Sequence, residues 1–183
     1  NPDQAESSSR LSEVISYGPS DPVPAASNSH EALVIKVLTN NYIVKKVYID
    51  PGSSMDVMYF RTFDSLKWAR ERMTPVRTPL VGFGGHVVHL EGMVTLTVTV
   101  GHHPHCRTIP VNFVVVKADS PYNLLLGRLT LNALRVVYST YHLSFNFPTP
   151  AGVAEVSSDV CAARECYLTT LQAASTSASD TRS

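Results

Sequence analysis

The sequence predicts an all-β domain with one or two short helices, set between flexible N- and C-terminal tails. Three observations carry this reading. Apolar and polar residues alternate over Met93-Val94-Thr95-Leu96-Thr97-Val98-Thr99-Val100, the period-two signature of a strand with one buried face. Short runs rich in Val, Ile and Tyr recur through the middle of the chain and are bounded by Asn, Gly and Pro turns. Between residues 30 and 150, helical spacing appears in only two stretches, 61–73 and 129–134.

The composition allows a core of some size and narrows the classes of partner. Of 183 residues, 44% are hydrophobic and 16% charged, which suits one ordinary domain plus tails. Fifteen basic residues balance fifteen acidic ones, so no whole-chain field recruits nucleic acid or an anionic membrane. No apolar run approaches the roughly 20 residues of a membrane span, and Asn1-Pro2-Asp3-Gln4 lacks the features of a secretion signal. Cys106, Cys161 and Cys166 are odd in number and irregular in spacing, which points to a reducing compartment without a disulfide framework, cytoplasmic by default.

Residues 1–29 are rich in Ser, Pro, Asn and Asp and read as a linker or arm, either mobile or laid on the core as an added strand. Ala32–Leu38 is a strand, Thr39-Asn40-Asn41 a turn of the kind that tolerates positive φ, and Tyr42–Ile49 the returning strand. Simple alternation places Ile43 and Val47 on one face of that strand with Ile49, and Tyr42, Val44 and Tyr48 on the other. The hairpin delivers Asp50, followed by Pro51, Gly52, Ser53 and Ser54, and Val57-Met58-Tyr59 forms a short strand beyond. Tyr59, Phe63, Leu66, Ala69 and Met73 then recur at steps of three and four, predicting one helix over 61–73, and Pro75 stops it. Its Arg61, Lys67, Arg70 and Arg72 read as a solvated face rather than a nucleic-acid patch.

Gly82-Phe83-Gly84-Gly85 lies between the β-prone Pro79-Leu80-Val81 and His86–Leu90, as the tip of a flexible hairpin. No P-loop pattern and no following helix make it a phosphate site. Met93–Val100 and Ile109–Val116 pair across the turn Gly101-His102-His103-Pro104-His105. Tyr122–Arg128 is a buried strand that runs into Gly127, 129–134 a short helix, and 135–139 with 142–147 a last β pair ended by Pro148-Thr149-Pro150. The domain thus spans 30–150, and 151–183 reads as a C-terminal linker with a short helix at most around 162–171. His102, His103, His105 and Cys106 are metal-ligand types, but one hairpin turn cannot wrap all four around one ion, so they read as a solvated turn.

A carboxylate at the end of a buried strand is costly to desolvate, so Asp50 either caps its own turn or serves chemistry. Position alone favours the cap, and an ordered set of features shifts the balance toward chemistry: strand-Asp50-x-Gly52-Ser53-Ser54, a helix, the glycine-tipped hairpin, a second hairpin, and Leu124-Leu125-Leu126-Gly127-Arg128 before a short helix. This set resembles the retropepsin family of aspartic proteases. It is most similar to the protease segment of plant gypsy-type LTR retrotransposon polyproteins, notably over 122–134, 139–143 and 163–167.

The resemblance implies a retropepsin-like acid protease barrel and an aspartic endopeptidase that processes a gag-pol polyprotein, within a cytoplasmic virus-like particle. Because the chain holds one Asp followed at two residues by Gly, it implies a homodimer in which Asp50 and its symmetry mate form the catalytic dyad. Pro51, Gly52, Ser53 and Ser54 would form the active-site loop, with Ser53 donating to the outer oxygen of Asp50. Phe83, Gly84 and Gly85 would form the flap over the peptide substrate, Leu126 and Gly127 would cross under the loop, and the strands 135–139 and 142–147 would build part of the dimer sheet. No cofactor, metal, nucleic acid or membrane is implied. Pro51 departs from the family's Thr or Ser, whose hydroxyl bonds across the dimer axis, and proline supplies neither hydroxyl nor N–H. The alternative is a catalytically weak or inactive domain of the same fold that dimerises or binds without turnover.

Overall fold

A computed structural model of the chain describes residues 14–23, 32–76, 80–83 and 86–180. β1 (Val34–Thr39) and β2 (Tyr42–Ile49) form an antiparallel hairpin closed by Asn40 and Asn41 at φ 44° and 66°. Two consecutive left-handed residues make the turn whose twist matches the strands it joins, and asparagine adopts that conformation at low cost.

β2 does not alternate simply. Lys46 has φ 55°, and pairing shifts from Ile35↔Val47 to Val37↔Val44, so β2 carries one extra residue opposite β1. This bulge turns Val44 inward with Val47 and Ile49 and leaves Ile43 exposed at 68%, correcting the facing that alternation alone predicts.

β3 (Asp56–Tyr59) leads into α1 (Phe60–Ser65), and a 3-10 turn over Lys67–Arg72 follows. The single helix expected over 61–73 is therefore broken at Leu66, whose ψ of 70° leaves the helical region. Beside the break, the Ser65 hydroxyl donates to the Thr62 carbonyl at 2.6 Å, a local side-chain bond that competes with helix continuation. The apolar spacing still holds: Phe63, Leu66 and Ala69 are all buried.

β4 (Leu80–Phe83) pairs with β5 (His86–His102), a 17-residue strand that merges the outgoing hairpin arm with the alternating strand. A register shift between Leu90 and Gly92 lets β5 bend while still pairing with β6 (His105–Lys117). β7 (Leu124–Leu126) runs parallel to β2 and antiparallel to β3. The order β1-β2-β7-β3-β6-β5-β4, with β5 returning to β1 at Leu38↔Thr99, closes six strands into a barrel and leaves β4 attached to β5. β3 and β7 are buried along their whole lengths, which explains why both read as unbroken apolar runs.

After α2 (Arg128–Leu134), β8 (Val137–Ser139), β9 (Ser144–Thr149) and β10 (Gly152–Ser157) form a second, three-stranded sheet. Phe145 and Phe147 carry this sheet into the barrel core beside Val98, Val100 and Leu134. β10 and the long α3 (Val160–Asp180) occupy the stretch read from sequence as a linker. Proline was the misleading signal. Pro148 lies within β9 opposite Val153, beyond the Ser144–Asn146 segment that β8 pairs with, so its missing N–H interrupts no β8 ladder.

In the described part of the N-terminal arm, Tyr17 stacks on His142 at 4.7 Å and its hydroxyl lies 3.1 Å from Ser144 Oγ. That segment rests on the β8–β9 hairpin by side chains and adds no strand.

Candidate active site

β2 ends at Ile49, opposite Leu126 of β7, and the next amide, Asp50 N–H, donates to the Leu126 carbonyl at 2.9 Å. The chain then turns. Ser53 N–H donates to the Asp50 carbonyl at 3.2 Å, which makes Pro51 the second residue of a four-residue turn, the position proline's fixed φ favours. Gly52 N–H donates to Asp50 Oδ1 at 3.0 Å, so the side chain is oriented by its own turn. The Ser53 hydroxyl donates forward to the Met55 carbonyl at 2.9 Å rather than to Asp50.

The loop is held from below by the start of α2. Gly127 lies so close that a Cβ there would stand 2.3 Å from the Met55 carbonyl oxygen and 2.8 Å from that of Ser53. Arg128 N–H donates to the Ser53 carbonyl at 2.9 Å. Gly127 N–H donates to Asp56 Oδ1 at 2.7 Å, and Thr130 also hydrogen-bonds the Asp56 carboxylate. Asp56, at 3% exposure, ties β3, α2 and the loop together. Burial pushes its carboxyl above the ordinary 3.8, against the opposing pull of those two bonds. Asp56 lacks the following glycine that marks Asp50, so the sequence analysis does not single it out. The available signal was a lone acid opening an otherwise apolar strand.

Asp50 borders a cleft of about 490 Å³, walled by Tyr48, Tyr59, Tyr122, Met55 and Leu125 and edged by Ser54. Tyr48 and Tyr122 stack at 4.9 Å. Burial pushes the Tyr122 phenol up to about 12, helped by the neighbouring Cys166, Tyr48 and Tyr59. Burial likewise raises Tyr48, with the negative charge of Asp50 adding to it. Tyr59 is raised by burial, opposed by a hydrogen bond with Ser120 and reinforced by Asp50. The aromatic wall thus stays uncharged beside the acid. These tyrosines escaped sequence reading because β2, the β3 end and the loop before β7 converge only in the barrel.

Of the expected flap, Phe83 ends β4 opposite His86. Gly84 and Gly85 lie outside the described residues. Val88 and Leu90 of β5 pack on the outer apolar cluster of Val57, Tyr59, Val114, Val116 and Leu125, the same cluster that Tyr48 and Tyr122 join. That arm is therefore fastened to the cleft wall.

Among the described residues, Asp50 is the one carboxylate lining this cleft. Asp64 pairs with Arg70, and among the described residues no group of three or more His, Cys, Asp or Glu stands close enough to hold a metal. His102, His103 and His105 are exposed on their turn, and the three cysteines are free thiols. β8 pairs with β9 alone among the described strands, and Val137 and Tyr138 on it and Tyr141 just after it are exposed.

No protein-family model matches the chain, and no curated protein matches it in sequence. Among solved structures, the retroviral protease-like domain of Ddi1 from Leishmania major superposes with a TM-score of 0.53 at 19% identity, over 70% of this chain and 97% of that one. EIAV protease complexed with the inhibitor HBY-793 gives a TM-score of 0.43 at 20% identity, over 68% and 99%. With its closed barrel and flanking short helices, the chain has the retropepsin-like fold.

Proposed function

We propose that the protein is an aspartic endopeptidase that works as a homodimer, and that its substrate is a gag-pol polyprotein of a gypsy-type retrotransposon. One observation carries this reading: a single carboxylate, Asp50, sits in a turn pinned by Gly127 and Arg128 at the edge of an uncharged cleft. Hydrolysis of a peptide by this chemistry takes two carboxylates that share a proton. One takes a proton from water as the water oxygen attacks the scissile carbonyl carbon. The other gives its proton to the carbonyl oxygen. Collapse of the resulting diol breaks the C–N bond, and the leaving nitrogen takes a proton from the dyad. One chain offers half of this set, so the second half comes from a second copy.

The edge of β8 that no described strand pairs with, where Tyr138 and Val137 are exposed, supports the same dimer. Pro51 favours a second reading, a dimer that binds peptide with little turnover, since proline cannot bond across the axis. In the cleft, peptide rather than nucleic acid or lipid is the fitting ligand, because tyrosine and leucine walls carry no cations.

The test is cleavage of gag-derived peptides across a protein concentration series. Asp50→Asn is expected to abolish cleavage at every concentration, and the parent's specific rate is expected to fall on dilution. A parent that dimerises and binds a statine peptide without cleaving substrate supports the second reading. Cleavage by Asp50→Asn at the parent rate refutes both the dyad and the proposal.

A further inference from the structure

A second cavity of about 380 Å³ adjoins the Asp50 cleft, and Tyr59 and Ser120 line both. Its far wall is α3, through Thr169, Thr170 and Ala173. That wall is fixed in place: Ala163 and Cys166 are buried, the Cys166 thiol donates to the Pro121 carbonyl at 3.6 Å, and Asp159 Oδ1 accepts from Ala162 N–H at 3.0 Å in the first turn.

The polar groups of the lining are largely satisfied from within. Thr169 and Thr170 hydroxyls donate to the Glu165 and Cys166 carbonyls at 2.9 and 3.0 Å. Ser120 Oγ accepts from Tyr122 N–H at 3.1 Å and hydrogen-bonds Tyr59, and Arg61 donates to the Ser120 carbonyl at 3.5 Å. What faces a ligand is then the carbon surface of Ala118, Pro121, Ala173 and the tyrosine ring. Arg61 and Asp119 bring one charge of each sign, which leaves no net field to favour a charged guest.

We infer that this cavity is an outlying substrate pocket, walled by α3, which takes an uncharged apolar side chain of an extended peptide whose scissile bond lies at Asp50. The inference rests on the peptidase reading and adds to it a specificity element outside the barrel. The size of the cavity lies in the range of pockets that hold small ligands, roughly 300–1,000 Å³. A leucine or phenylalanine buried there is expected to tighten binding by tenfold or more.

The probes are a statine-centred peptide with two residues on either side, and versions lengthened by four residues on one side or the other, carrying Leu or Lys at each added position. Binding is read by calorimetry at concentrations where sedimentation shows dimers. One direction of extension with Leu is expected to gain at least tenfold over the short peptide in the parent. Ala173 is exposed on α3, so Ala173→Trp fills the cavity without disturbing the core. It is expected to erase that gain and leave the short peptide's affinity unchanged. Ala173→Glu is expected to move the preference from the Leu to the Lys extension, an exchange that a merely structural helix would not produce. Circular dichroism of each variant checks the fold. Equal affinity of short and long peptides in the parent overturns the pocket and leaves the peptidase reading standing. A short peptide that fails to bind overturns that reading and the pocket with it.

Discussion

Gly127 sits where a side chain has no room. Its hypothetical Cβ would lie 2.3 Å from the Met55 carbonyl oxygen, and the atoms it would meet are all backbone of Ser53 and Met55, not a flexible side chain that could give way. Gly127→Ala is therefore expected to cost about 3 kcal/mol or more, lowering Tm by roughly 6–12 °C, and to displace the Asp50 loop. Differential scanning calorimetry checks it, and an unchanged Tm would show that the loop is not wedged on α2. Asp56 makes a different prediction, because its burden is charge. Its folded carboxyl titrates above the ordinary value, so the folded state holds the proton more tightly than the unfolded one. The stability contributed by this group is present below about pH 4 and declines as pH rises through the folded value. Asp56→Asn keeps an acceptor for Gly127 N–H and is expected to remove that decline, so its advantage over the parent grows from pH 4 to pH 7 in urea unfolding. Asp56→Ala, in contrast, strands the Gly127 donor and is expected to cost about 1–3 kcal/mol.

At the scale of the element, the bulge in β2 is the feature with most leverage. Lys46 adopts φ 55°, which inverts the facing of every β2 residue before it relative to the residues after it. Without that inversion Val44 and Val47 could not both be buried, and Ile43 rather than Val44 would face the core. The Lys46–Glu165 pair at 3.4 Å is exposed and contributes little, so backbone conformation decides the effect of substitution. Lys46→Gly is expected to stabilise by about 0.5–1 kcal/mol, and Lys46→Ile to destabilise by about 1–2 kcal/mol, because a β-branched residue is poorly accommodated in the left-handed region. A stable Lys46→Ile variant with unchanged Tm would count against the bulge.

For the whole molecule, the proposed peptidase is a property of two chains. Barrel closure and the three-stranded sheet need one copy only, since the core from Leu33 to Ala154 is formed within it. The exposed residues around β8 are then surplus to folding and available to a second copy. Tyr138→Arg is expected to weaken the dimer by tenfold or more in sedimentation equilibrium, with a monomer Tm within about 2 °C of the parent's, because a surface side chain is exchanged. Cleavage should fall in step with the dimer fraction. If Tyr138→Arg leaves the dimer intact, the pairing surface lies elsewhere.

The sequence by itself determined the barrel's strands and the position of Asp50, because period-two alternation, the Asn40-Asn41 turn and the Pro51-Gly52 turn are local signals whose physics acts within a few residues. It also singled out Leu126 and Gly127, through their motif. Only the tertiary structure decided what Gly127 and Asp56 press against, which tyrosines wall the cleft, and that β10 and α3 continue the domain past Pro150. Those outcomes depend on residues tens of positions apart meeting across a closed sheet, where desolvation and steric fit act, and no local pattern encodes such distances.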